Sequence, residues 1–185
     1  MDEKAILECI ETRRSVRSYL PDAVPDEKLD RILRAGLYAA SGRGRQSAII
    51  LCVTDKALRD RLMRMNAQIM GDEGKDPFYG APCVLVVLAD RRVSTAVYDG
   101  SLVLGNMMLA AHAEGLGSCW IHRAREEFDS DEGRKILHDL GIEGDYEGIG
   151  HLIIGYSDGA EPEATPRLDG RVYRVPADFT GERDL

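Results

Sequence analysis

An α/β fold is what this chain predicts, on two observations. Segments with apolar residues at helical spacing alternate with short apolar runs suited to strands, an order that lays helices over a sheet, parallel in its simplest form. One of those runs, residues 83–89, is almost purely apolar and β-branched, so it reads as a central strand buried on both faces. With 185 residues the chain is long enough for one domain, 1–185, with a real core. Strand order and direction stay open in this pattern.

Residues 2–12 predict a first helix, with Ala5, Ile6, Cys9 and Ile10 on one stripe. Next comes Thr12-Arg13-Arg14-Ser15-Val16-Arg17-Ser18, three arginines and three hydroxyls within seven residues of an otherwise acidic chain. In an extended segment Arg13, Ser15 and Arg17 share one face. Guanidinium forks with a hydroxyl match phosphate or carboxylate oxygens, which makes that face a candidate seat for a phosphorylated small molecule. A solvated basic turn after a helix is the simpler reading of the stretch alone.

Pro25, followed by Asp26 and Glu27, opens a second helix that runs out near Ala39-Ala40-Ser41, with Leu29, Ile32, Leu33 and Leu37 on its core face. Residues 41–47 form a polar, glycine-broken loop. No strand precedes it and the GxGxxG spacing is missing, which argues against a dinucleotide fingerprint. Residues 48–54 suit a buried strand, and 56–70 a helix with Leu58, Leu62, Met65 and Ile69 on one face. After a loop at 71–80 and the central strand, residues 94–114 predict a long helix that is apolar on nearly every side. A helix of that kind lies in a domain centre or a subunit interface, and the small size of the chain favours the interface. Gly115 and Gly117 end it. Residues 118–122 form a short strand with the only tryptophan, Asp129-Ser130-Asp131-Glu132 opens a helix closing near Gly141, and 147–156 form the last strand. The remainder, 157–185, reads as an extended arm that must dock on something to be ordered.

Composition narrows the function. A net charge of −8 argues against nucleic acid or an anionic membrane as partner. No apolar run approaches a membrane span, and charges throughout residues 1–20 argue against a signal peptide. Cysteines 9, 52, 83 and 119 lack CxxC spacing and fit buried, reduced thiols of a cytoplasmic protein.

Four stretches, in order, resemble the nitroreductase-like family of FMN-dependent oxidoreductases over essentially the whole chain. Arg13-Arg14-Ser15-Val16-Arg17 resembles the RRSxR motif, whose first, third and fifth positions hold the FMN phosphate and the pyrimidine side of the flavin. Residues 39–48, with Ala40, Ser41, Gly42, Gly44 and Gln46, resemble the APSxxNxQPW loop that reaches the flavin from the partner subunit. Residues 115–121, ending in Trp120-Ile121, resemble the GLGxxWIG strand near the flavin's reactive nitrogen. Gly155-Tyr156 with Thr165-Pro166-Arg167 resembles the closing IGY strand and the late arginine that returns to the phosphate. The resemblance implies an α+β sandwich with a mixed sheet and helices on both faces. It also implies an intertwined homodimer whose arms embrace, with FMN at the subunit interface. Three departures stand out: Gly44 replaces the family's Asn, with Arg43 and Arg45 beside it; Ser47-Ala48 replaces Pro-Trp; and His122 stands where glycine is usual.

The implied chemistry belongs to the flavin, with NADH or NADPH as donor in a ping-pong cycle and a small electron-poor acceptor such as a nitroaromatic or quinone. Arg17 is assigned to the pyrimidine edge, Arg13 and Arg167 to the phosphate, and a backbone N–H around Ile121-His122 to the reactive nitrogen. Arg14, Ser15, Ala40, Ser41, Gly42, Gly44, Gln46, Trp120 and Thr165 complete the cofactor set. His122 is the candidate proton donor. Cys119 reads as a packed thiol, and no metal is assigned. The alternatives are a flavin-binding module without turnover, or another flavin reaction, such as dehalogenation or dehydrogenation, on the same scaffold.

Overall fold

The computed structural model of the chain describes residues 3–159 and 162–177. Four strands, β1 (Ala48–Val53), β2 (Cys83–Asp90), β3 (Gly117–Ile121) and β4 (Tyr146–Gly155), form one sheet in the order β1-β2-β4-β3. Among the described residues there are six α-helices: α1 (Glu3–Thr12), α2 (Asp26–Leu37), α3 (Lys56–Met70), α4 (Ala96–Ala113), α5 (Ala124–Asp129) and α6 (Asp131–Asp139).

Each strand pairing is antiparallel, so the parallel sheet suggested by alternation does not form. The parallel component is one isolated bridge, Ser15 to Ser118. Connection length explains the direction. Val53 at the end of β1 pairs with Val84 at the start of β2. Helix α3 spans roughly 22 Å, and the connection after it can extend further than that, so the chain returns to the end it left. The fold is α+β.

Strand β2 is buried on both faces, as its sequence predicts. Val84, Val86 and Leu88 join the core under α3, α5 and α6, while Leu85, Val87 and Ala89 join the core under α2 and α4. Truncating a side chain such as Leu85, which is fully buried, to alanine costs about 2–5 kcal/mol.

Helix α4 crosses one face of the sheet, burying Val103, Leu104, Met107 and Ala111. Its far side leaves Val97, Tyr98 and Leu102 exposed, and α1 exposes Ile6, Leu7 and Ile10. Leu37, expected in the core, is 66% exposed at the end of α2, which stops at Leu37 rather than near Ser41. Helix α5 has no counterpart in the predicted elements, because six residues are too few to show a helical period. It ends at Ser130, which is also the N-cap of α6 and accepts from the Gly133 N–H at 3.0 Å. A Cβ on Gly133 would lie 2.1 Å from the Glu127 carbonyl oxygen, so the tight α5–α6 joint requires glycine.

Two of the thiols expected to be buried are buried, Cys83 and Cys119. Cys9 is half-buried, and Cys52 is exposed because β1 lies at the sheet edge.

Candidate functional site

The arginine–serine stretch runs along the outer edge of β3. Val16 donates its N–H to the Ser118 carbonyl at 3.0 Å, and Tyr19 Oη donates to the Val16 carbonyl at 2.7 Å. A Cβ at Gly117 would meet the Val16 side chain at 2.9 Å, so glycine lets the two segments lie in contact. The burial of Val16 fixes which way its neighbours face.

Arg13 is half-buried, and its Nη1 is buried without a hydrogen-bond partner; Ser118 Oγ is in the same condition. A buried unpaired donor costs on the order of 1–3 kcal/mol, more when charged, so among the described residues Arg13 Nη1 is short of an acceptor. Arg14 differs. Its Nη1 donates to the Glu11 and Arg13 carbonyls at 2.7 and 2.9 Å, closing the end of α1. Arg17 is exposed, held only by a long 3.4 Å contact to the Ser15 carbonyl.

Arg17 lines a cavity of about 450 Å³ with Cys119, Trp120, Ile121, His122 and Arg123. Lys75, Asp76 and Tyr79, from the connection between α3 and β2, close its other side. Asp76 shapes that connection by accepting from the N–H groups of Phe78 and Gly80 at 2.7 and 2.9 Å. His122, which lines the same cavity, is exposed. A larger groove of about 530 Å³ lies beside Val24, Lys56, Arg59 and Cys83. Its basic groups are already committed: Lys56 to Asp60, and Arg59 to Asp60 and Asp76.

Under the floor of the first cavity lies a polar network that sequence reading missed. Asn66, fully buried on α3, donates from Nδ2 to the His122 carbonyl at 2.9 Å and also to Glu127. Its Oδ1 accepts from Arg123 Nε at 2.9 Å. Glu127 in turn meets His151 Nε2 at 3.1 Å, and both are fully buried. The available signal was His151 itself, an ionisable residue in the apolar half of the last strand.

The loop at 40–47 lies elsewhere. Register places it at the Ala48–Ala89 end of the sheet, whereas the Ser15–Ser118 bridge lies at the Gly117–Gly155 end. Asp99 of α4 organises the loop, accepting from Gly42 N at 2.9 Å, Ser47 Oγ at 2.7 Å and Thr95 Oγ1 at 3.1 Å. Ser41 Oγ accepts from Gln46 N at 3.1 Å. Burial alone would push the Asp99 carboxyl up, and these hydrogen bonds more than offset it, leaving the pKa below its ordinary value. Ala40 and Gly44 are exposed, and Gly44 has a left-handed φ of 66°. Thr165 and Arg167 are exposed in the irregular 162–177 segment, which also leaves Leu168, Val172 and Tyr173 in solvent. Within one chain, then, Arg17 lines a cavity with residues 119–123 and Ser15 pairs with Ser118, while the 40–46 set and the arm residues do not line that cavity. Among the described residues, no group of His, Cys, Asp and Glu is placed to hold a metal ion.

The nitroreductase family model matches residues 10–156. The chain belongs to the nitroreductase family. Two relatives carrying the name NADH dehydrogenase/NAD(P)H nitroreductase, from Methanothermobacter thermautotrophicus and Archaeoglobus fulgidus, are 31% and 32% identical over 119 and 120 residues. Each match covers 62% of this chain, and it spans 59% and 66% of the respective relative's length. A nitroreductase from Bacteroides fragilis, solved with bound FMN, superposes with a TM-score of 0.86 at 28% identity, covering 95% of this chain and all of that one. This nitroreductase fold contains no helix, among the described residues, long and apolar enough to cross a membrane.

Proposed function

We propose that this chain is an FMN-dependent oxidoreductase that takes reducing equivalents from NADH or NADPH and passes them to a small electron-poor acceptor. The observation that carries the reading is the cavity that Arg17 of the arginine–serine stretch lines together with Cys119–Arg123 at the end of β3, with Arg13 Nη1 and Ser118 Oγ, from the same two segments, buried without a hydrogen-bond partner among the described residues. That donor set fits a phosphate or a flavin carbonyl edge. The FMN-bound family member of B. fragilis supports the same cofactor here. The names of the archaeal relatives support the nicotinamide donor.

When bound, FMN supplies the hydride chemistry. The chain's own residues bind and orient it. Arg13 and Ser15 hold the phosphate or pyrimidine side through charge-assisted hydrogen bonds. Arg17 places a cation where negative charge grows on reduction. The backbone at Ile121-His122 lines the reacting edge, and His122 delivers a proton to the acceptor. Donor and acceptor share one cavity in turn, giving a ping-pong cycle.

We also infer a homodimer. The exposed apolar faces of α1 and α4, and an arm with Leu168, Val172 and Tyr173 in solvent, together call for a second copy. Its 40–47 loop and Arg167 would complete the cavity.

The decisive experiment is the visible spectrum of the purified protein before and after anaerobic NADH or NADPH. A yellow protein that bleaches is the expected result. A yellow protein that does not bleach supports a flavin-binding module, and a colourless one that takes up no FMN overturns the proposal. His122→Ala should keep flavin reduction and lose rate only with the acceptor; an unchanged acceptor rate removes the proton-donor role. Product analysis with a halogenated acceptor separates nitro or quinone reduction from dehalogenation.

A further inference from the structure

The buried chain Arg123–Asn66–Glu127–His151 serves no part of the reading above, yet it ends at two cavity-lining residues, His122 and Arg123. We infer that Asn66, locked by the Glu127–His151 pair, is a positioning residue: it fixes the His122 carbonyl and the Arg123 guanidinium at the cavity floor and sets a buried negative charge beneath it. The inference rests on the proposed flavin site for its chemical purpose, and on this chain alone for its geometry.

Protonation follows from partners. His151 Nδ1 is buried with no hydrogen-bond partner. An imidazolium would leave an N–H unpaired at that atom. So would a neutral ring accepting at Nε2 from a protonated Glu127, because its own proton would then sit on Nδ1. Only the tautomer with the proton on Nε2, donating to an ionised Glu127, avoids an orphaned donor. The Phe78 ring, with its centroid 5.3 Å from that of His151, offers Nδ1 no polar contact.

With Glu127 ionised, the Asn66 amide has one orientation that serves all its partners. Nδ2 must face the two acceptors, Glu127 and the His122 carbonyl, and Oδ1 must face Arg123 Nε. The orientation matters because Arg123 begins α5 in a left-handed conformation, φ 79°, which an ordinary side chain rarely adopts unless held. Register adds a second hold: Ile121 on β3 lies opposite His151 on β4. The cavity floor is therefore tied to the core by one backbone ladder and one side-chain chain. Arg123 answers the buried carboxylate through a single intervening amide.

Two variants test this. In Asn66→Ala without flavin, amide hydrogen exchange across residues 121–124 should quicken at least tenfold, while 49–53 stays unchanged. Equal rates at 121–124 overturn the positioning role. Asn66→Ser, too short to reach both His122 and Arg123, stands in if the alanine variant does not fold. In FMN-loaded Glu127→Gln the shape is kept and the charge removed, so the reduced-to-oxidised ratio at fixed potential should rise tenfold, about 30 mV for a two-electron couple. An unchanged midpoint potential in a folded, flavin-bound Glu127→Gln overturns the charge role. If wild-type protein takes up no FMN, the functional reading fails separately, and the exchange result still decides the positioning.

Discussion

The edge of β3 and the loop held by Asp99 are both polar constellations pressed against the sheet, and they differ in whether they are complete. Around Asp99, donors and acceptor match: Gly42, Ser47 and Thr95 all give to one buried carboxylate. At the β3 edge, Arg13 Nη1 and Ser118 Oγ are buried with nothing to give to. A satisfied cluster stabilises the chain that contains it. An unsatisfied one stores binding capacity for something else. Arginines occur in both regions, so composition alone cannot tell them apart.

The largest effect expected from this contrast is on stability. Asp99→Ala strands the Gly42 and Ser47 donors and should cost about 2–4 kcal/mol. At about 2–4 °C per kcal/mol, thermal denaturation should show a fall of roughly 4–16 °C. An unchanged melting temperature would mean that water replaces the carboxylate and the loop is not built around it. Arg13→Ala should do the reverse. Stripping a charge-assisted contact worth roughly 1.5–3 kcal/mol weakens FMN ten- to a hundredfold in a fluorescence titration, while the apo-protein melts no earlier. Full flavin occupancy in the purified variant would misplace the phosphate.

Acid sharpens the comparison. The Asp99 carboxyl lies below its ordinary pKa, so its contribution is fully present above the unfolded value near 4 and is lost as pH falls through the folded value. The stability gap between wild type and Asp99→Asn should therefore be constant at neutral pH and close in the acid range. A gap that persists to the lowest measurable pH would contradict the lowered value. The smallest effect belongs to Arg14→Ala. Losing two carbonyl contacts at the end of α1 costs under about 1 kcal/mol, and FMN affinity should not change.

Much of the fold is legible in the sequence. The burial of β2 on both faces follows from its unbroken apolar run, α3 from its period, and α4 from a long stretch that is apolar on nearly every side. The RRSxR-like and GLG-like stretches name the residues at the cavity, though not their meeting, which needs the Val16–Ser118 pairing across a hundred residues of chain. Helix α5 was missed because it is too short to carry a pattern. Asp99 and His151 each carry an ionisable group in an apolar stretch, a visible signal whose partners are not visible, because Ser47 and Glu127 reach them only through tertiary packing.

What the sequence by itself determines is local: where strands and helices form, which faces are apolar, and that cationic forks cluster before residue 18. These follow from side-chain period, backbone preference and charge within a few residues. What only the tertiary structure decides is pairing. The antiparallel direction of the sheet depends on how far α3 and the segment after it carry the chain. The difference between Arg13, left without an acceptor, and Arg14, spent on the end of α1, depends on which carbonyls lie within reach once α1 and β3 are in place. Adjacent residues of the same type thus differ in hydrogen bonding, because hydrogen-bond satisfaction is a property of the surroundings and not of the side chain.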